Sequence, residues 1–143
     1  METIVADVAV MQSLNQSEEL ETLCEGRIYN TLRPEMDEQE DKIPYIVVTY
    51  EGMTNECDSK DLKEGSNDTE RVNVLCVARD RIQLSNVIHS VREACRSYLY
   101  SDECFSRFRI DQYELSASPV MGDWTVPCVY QSLNYSITTS LID

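Results

Sequence analysis

The chain has 143 residues, 42% of them apolar, with 26 Asp and Glu against 12 Lys and Arg and a net charge of −14. That length is one domain's worth of chain, long enough to bury roughly two-thirds of its unfolded surface without metal or disulfide support. Its charge excludes a nonspecific nucleic-acid binder, because phosphate contacts require Lys and Arg in number.

The first apolar pattern is Ile4, Val8 and Met11, with Val5 and Leu14, at helical spacing, and Thr3 is placed to cap it. A second short helix is expected at residues 17–24, with Asn15 and Glu18 spaced as a capping box and Leu20 and Leu23 on its apolar side. Gly26 suits the left-handed position that ends a helix. Residues 27–32 read as a short extended piece. Residues 33–42 hold Pro34 and five carboxylates, which predicts a solvated loop.

Residues 44–51 read as a strand, with Ile46, Val48 and Tyr50 on one face and Tyr45, Val47 and Thr49 on the other. Residues 52–69 are polar and read as a long loop, a length that is usually functional or disordered. Residues 70–79 form the next strand, with Val72, Val74, Cys76 and Ala78 on one face. With no helix between them, these two strands are expected to pair antiparallel. Asp80 then caps the strongest helix, whose stripe is Leu84, Val87, Ile88, Val91, Cys95 and Tyr98. His89 lies beside that stripe, as a boundary residue and not a ligand.

Residues 104–117 read as a third strand whose apolar phase changes near Asp111–Gln112, which predicts a bulge there. Ser118-Pro119 and Gly122-Asp123 supply a turn. The last strand, about residues 125–141, keeps Val129, Leu133, Tyr135, Ile137 and Leu141 on one face, and Pro127 at its start suggests a sheet edge. The expected architecture is α+β: about four antiparallel strands packed by two main helices, in the order α-β-β-α-β-β. Its expected core is Ile46, Val48, Val74, Cys76, Leu84, Val87, Ile88, Val91, Cys95, Phe108, Leu133 and Tyr135.

The residues offer little chemistry. Cys24, Cys57, Cys76, Cys95, Cys104 and Cys128 contain no C-x-x-C pair, and the single His89 is six residues from the nearest of them. That spacing argues against zinc. The acidic Met-Glu-Thr-Ile start is unlike a secretion signal, so reduced thiols in a cytosol are expected. No apolar run approaches the ~20 residues of a membrane span. There is no G-x-S-x-G and no phosphate-cradling glycine loop. The expectation is no enzyme, no cofactor and no metal. The acidic excess is concentrated: residues 1–70 hold 18 Asp and Glu against 5 Lys and Arg, while residues 71–143 hold 8 against 7. Such a surface serves solubility, or repels DNA, or faces a basic partner.

An ordered set of motifs runs through nearly the whole chain. Gly26-Arg27-Ile28-Tyr29 follows the second helix, and a polar spacer leads to Pro44-Tyr45-Ile46-Val47-Val48. Arg79-Asp80 joins a strand to the amphipathic helix, and Gly122-Asp123-Trp124 feeds the last strand. In this order the chain resembles the tail-completion, or tail-terminator, proteins of long-tailed bacteriophages. It departs from that pattern in a longer, more acidic 52–69 loop and in its cysteine count.

The resemblance implies a structural virion protein, assembled in the bacterial cytoplasm. It implies a ring, commonly a hexamer, that caps the tail tube, ends its growth and joins it to the head-side connector. The tail tube protein and the connector would be its partners, and genomic DNA would pass through without specific binding. The carboxylates Glu35, Asp37, Glu38, Glu40, Asp41, Glu56, Asp58, Asp61 and Glu64 are then candidates to line the channel or to face a partner. Tyr29, Leu32, Trp124 and Tyr130 are candidate subunit contacts, or else cover the chain's own core. Two alternatives stay open: a head–tail adaptor or neck protein of the same virion, and an acidic DNA mimic that inhibits a nucleic-acid-binding enzyme.

Overall fold

The computed structural model describes residues 6–30, 43–55, 68–97, 108–123 and 127–141. Three helices, α1 (Ala6–Asn15), α2 (Glu18–Cys24) and α3 (Arg81–Ser97), accompany six strands. The strands are β1 (Ile28–Asn30), β2 (Tyr45–Asn55), β3 (Asp68–Ala78), β4 (Phe108–Ala117), β5 (Met121–Asp123) and β6 (Cys128–Leu141). They form one mixed sheet in the order β1-β2-β3-β6-β4, with β5 also pairing β6. The α+β class and the antiparallel β2–β3 pair agree with the sequence pattern. The two main helices and the short one between them are present, and six strands are described where about four were expected. One addition is β1, which falls within the expected extended piece at 27–32 and runs parallel to β2, with Ile28 opposite Ile46; the other is β5. A parallel neighbour needs a crossover of a dozen or more residues, which gives the 31–44 segment a topological role.

The helices begin and end by local chemistry. Ser17, not Asn15, caps α2, its Oγ accepting from the Leu20 amide at 3.3 Å, while Asn15 is the last residue of α1. At the other end of α2 the left-handed position falls on Glu25 (φ 52°) as well as Gly26 (φ 80°), and the Glu25 amide donates to the Glu21 carbonyl. Asp80 caps α3 as expected: its Oδ1 accepts from the Gln83 amide at 2.8 Å, and Gln83 Oε1 accepts from the Arg79 amide at 2.9 Å.

The core lies between the helices and one sheet face. Ile46 and Val48, Val72, Val74, Cys76 and Ala78, and Leu133, Tyr135 and Ile137 meet Leu84, Val87, Ile88, Val91 and Cys95 of α3. The expected core residues are all there except Phe108, whose side chain lies outside the described residues. Val10, Leu14, Leu20 and Cys24 complete it. On α1 the buried stripe is Ala9, Val10, Ser13 and Leu14, so Val8 turns outward at 41% exposure and Met11 is half-buried. The segment is apolar on several sides, which makes either stripe plausible from spacing. Ser13 is tolerated inside because its Oγ donates to the Ala9 carbonyl at 3.0 Å. Thr3, Ile4, Val5 and Tyr98 lie outside the described residues.

The other face of the sheet carries a smaller buried cluster of Ile43, Tyr45, Val47, Val77 and Cys128. Both faces of β2 are therefore apolar, which explains its unbroken Tyr-Ile-Val-Val run.

Two irregularities shape the strands. The β2–β3 register shifts between Tyr50 and Gly52, so Glu51 is the extra residue of a bulge, and the φ of 126° at Gly52 is one a side chain would oppose. The β4–β6 register shifts between Glu114 and Ser116, three residues beyond the expected Asp111–Gln112 position, and leaves Leu115 half exposed. β4 and β5 lie along the same side of β6. Across the gap between them, Ser118 keeps the ladder going. Its amide donates to the Ser132 carbonyl at 2.8 Å, and its Oγ accepts from the Ser132 amide at 2.9 Å. The Gln131 side-chain amide donates to the Ser118 carbonyl at 2.7 Å. Gly122-Asp123 is thus part of a strand, where a turn was expected. β6 is not the edge that Pro127 suggested: it runs between β3 and the β4–β5 arm, and Pro127 precedes its first paired residue.

Candidate functional site

Four of the six cysteines, Cys24, Cys76, Cys95 and Cys128, are buried, and the first three carry free thiols. Burial pushes the Cys24 thiol up to about 11. It pushes Cys95 up to about 12, against a smaller opposing effect from its hydrogen bond with Tyr135. Cys76, fully enclosed and next to Cys24 and Cys95 in electrostatic reach, is raised further. Cys24, Cys76 and Cys95 are protonated thiols packed as small hydrophobes. Among the described residues no group of three or more His, Cys, Asp or Glu is placed to hold a metal ion. Among them, too, no helix is long and apolar enough to cross a membrane.

The nine candidate carboxylates, Glu35, Asp37, Glu38, Glu40, Asp41, Glu56, Asp58, Asp61 and Glu64, lie outside the described residues. So do Leu32 and Trp124. Tyr29 and Tyr130 are described, and the sheet brings both to one place. Both pack half-buried against the smaller cluster, Tyr29 edge-on to Tyr45 with ring centroids 6.1 Å apart and an interplanar angle of 67°. Tyr130, on β6, stands opposite Val77 of β3.

The outer side of α3 is a surface that the hydrophobic stripe did not single out. Ile82 in its first turn is 77% exposed. One flank forms a groove of about 270 Å³, lined by Arg81, Ser85, His89 and Arg92 with Val120 and Gln131. Arg92 is already engaged: its Nε and one terminal nitrogen donate to the two carboxylate oxygens of Glu114 at 2.7 and 3.1 Å, tying α3 to β4. On the other flank Ser90 Oγ donates to Glu19 at 3.1 Å and ties α3 to α2.

Charge is mixed at both ends of the β2–β3 pair. At the end where β2 begins and β3 finishes, Arg27 Nε donates to the Pro44 carbonyl at 3.1 Å and Arg79 Nε to the Ile43 carbonyl at 3.4 Å; Arg27 also pairs with Glu25 at 2.7 Å, and Asp80 and Arg81 follow Arg79 in sequence. Around the bulge lie Glu51 and Glu70, with the exposed Arg71 opposite Gly52. Tyr50, 41% exposed, donates its hydroxyl to Glu70 at 3.1 Å. Burial first, then the Glu70 and Asp7 charges, raise the Tyr50 phenol. Asp7 itself is buried, and its Oδ1 has no hydrogen-bond partner.

No sequence-family model matches the chain, and no curated protein does. Among solved structures, one with the same fold is a chain from the virion of a native gene transfer agent particle. The two share 14% identity and superpose with a TM-score of 0.67 over 94% of this chain and 93% of the other.

Proposed function

We propose that this chain is a structural protein of a phage-like virion and acts as a tail terminator. What supports the reading most is that the likeness to a gene transfer agent virion chain runs through nearly the full length of both chains. The ordered motifs from Gly26 to Trp124 favour the terminator over other virion components. In this reading residues 1–143 act as one tail-terminator-like domain, and copies join side by side into a closed ring, a hexamer by resemblance. One ring face stacks on the last ring of tail tube protein and ends polymerisation, while the opposite face docks the head-side connector. The acidic excess of the first half faces the lumen and lets DNA pass without sticking, because like charges repel at close range.

The test is to add the purified chain to polymerising tail tubes and measure tube length by negative-stain microscopy. Tubes should stop growing and carry a cap at one end. Unchecked growth, or labelled protein at the neck or capsid of intact particles, overturns the terminator role in favour of an adaptor. A second experiment addresses the lumen. Neutralising Asp37, Glu38, Glu40 and Asp41 to Asn and Gln should slow genome passage, read by DNA release kinetics, with caps still formed. Loss of caps from a folded variant would move those carboxylates from the lumen to a contact.

A further inference from the structure

A buried carboxylate is normally paired, because it loses its water on folding and needs something in return. Asp7 departs from that rule. It is 8% exposed, and its Oδ1 has no hydrogen-bond partner. Its place in the first turn of α1 gives it the positive pole of the helix, a small and local compensation. The arginines whose side chains are described stand elsewhere. Arg27 and Arg79 lie at the far end of the β2–β3 pair, Arg81 opens α3 just after β3 finishes, and Arg92 is held by Glu114. Arg71 adjoins Glu70 in sequence, but successive residues of a strand point to opposite faces. Val72, Val74 and Cys76 face the helices, so Glu70 does too, and Arg71 faces away. On the helix side, Tyr50 lies within reach of the Asp7 charge, and its hydroxyl donates to Glu70 at 3.1 Å. Tyr50 and Val8 are both about two-fifths exposed, so the buried carboxylate lies close to apolar surface that a partner can touch.

We propose that this corner of the fold, Asp7 with Tyr50 and Glu70, receives an arginine side chain presented by a segment of a different protein. The guanidinium matches it in three ways. It is always charged and weakly hydrated, so it enters a partly buried site at less cost than an ammonium. Its fork of donors engages a carboxylate with two hydrogen bonds. Its plane can lie on the Tyr50 ring. The aliphatic stem of the side chain carries the charge inward from the surface, and Val8 and Tyr50 offer apolar contact beside it. Nucleic acid has the wrong sign for a carboxylate site. A second copy is the poorer occupant, since a net charge of −14 sets two copies against each other. Such a site would serve a terminator and an adaptor alike, so it stands whichever of the two roles the tube experiment favours.

The test is saturation-transfer NMR on the full chain with two capped tripeptides, acetyl-Leu-Arg-Leu-amide and acetyl-Leu-Gln-Leu-amide. The arginine peptide should bind and the glutamine peptide should not. Asp7→Asn should cut that binding about tenfold or more, the loss expected when a desolvated charge pair is deprived of one partner. Glu70→Gln should cut it less. Asp7→Asn should also leave the urea midpoint of the free chain unchanged or raise it, because the substitution removes a buried charge that lacks a partner. A lowered midpoint would mean that the helix pole, or another group of the chain, already satisfies the carboxylate, and overturns the proposal. Equal responses to the two peptides overturn it, as does arginine binding that survives Asp7→Asn. Displacement of the peptide by calcium or magnesium chloride, at an ionic strength where sodium chloride has no effect, would assign the site to a metal ion. Dissociation of the chain's own oligomers by the peptide would assign it to a second copy. Either result overturns the proposal.

Discussion

At the residue scale, the buried thiols make a statement about stability. Their folded pKa values are raised above the usual thiol value near 9, to about 11 at Cys24 and about 12 at Cys95. Between those limits the unfolded chain has given up protons that the folded chain keeps. Folding stability is therefore fully present below pH 9 and falls as pH rises toward 11, by at most about 1.4 kcal/mol per pH unit for each thiol. Urea unfolding under reducing conditions should show its midpoint dropping between pH 9 and 11. A Cys76→Val variant should show a shallower drop, since it removes one titrating group at similar volume. Equal slopes in the two proteins would mean that other groups control the alkaline limit. In sequence, Cys76 and Cys95 were readable as core residues from their apolar stripes. The proximity of Cys24 to them was not, because it depends on how α2 packs.

At the element scale, α3 is the best example of local and global preferences agreeing. Its cap and its stripe from Leu84 to Cys95 pointed the same way, and both fold as the spacing indicates. Asp80→Ala removes the acceptor for the Gln83 amide and should cost about 0.5–2 kcal/mol. Leu84→Ala leaves a cavity against β3 and should cost about 2–5 kcal/mol. Thermal melting followed by circular dichroism ranks the two; a larger loss from Asp80→Ala would imply that the cap and not the stripe holds α3 in place. The α1 stripe and the β4 bulge were misplaced for opposite reasons. Residues 4–11 offer two apolar faces, so spacing alone does not choose. The bulge at Leu115 is set by how β4 meets Ser118 and Ser132, a contact across the sheet that spacing along β4 does not encode.

At the scale of the whole molecule, the pairing between β1 and β2 was the least legible feature. A three-residue strand has too few positions to show a period, and its parallel partner lies beyond the acidic spacer. The candidate contacts fare differently from the candidate channel. Tyr29 and Tyr130, far apart in sequence, converge on one cluster of the second sheet face. The exposure of Ile82 was missed because it falls off the helix stripe that directed attention inward. Amide hydrogen exchange should rank the strands, with β3 and β6 slowest because each is paired on both sides. Faster exchange in β6 than in β4 would contradict the strand order.

The place of β6 also bears on how the protein is made. It is the last of these elements to leave the ribosome, yet it is the strand that β3, β4 and β5 all require. Until it emerges, the nascent chain can assemble α1, α2, the β1–β2–β3 half and α3, but Val72, Val74 and Cys76 have no neighbour on their open side. Synthesis at ~5–20 residues per second leaves that apolar edge uncovered for seconds, a window in which it is open to the wrong partner.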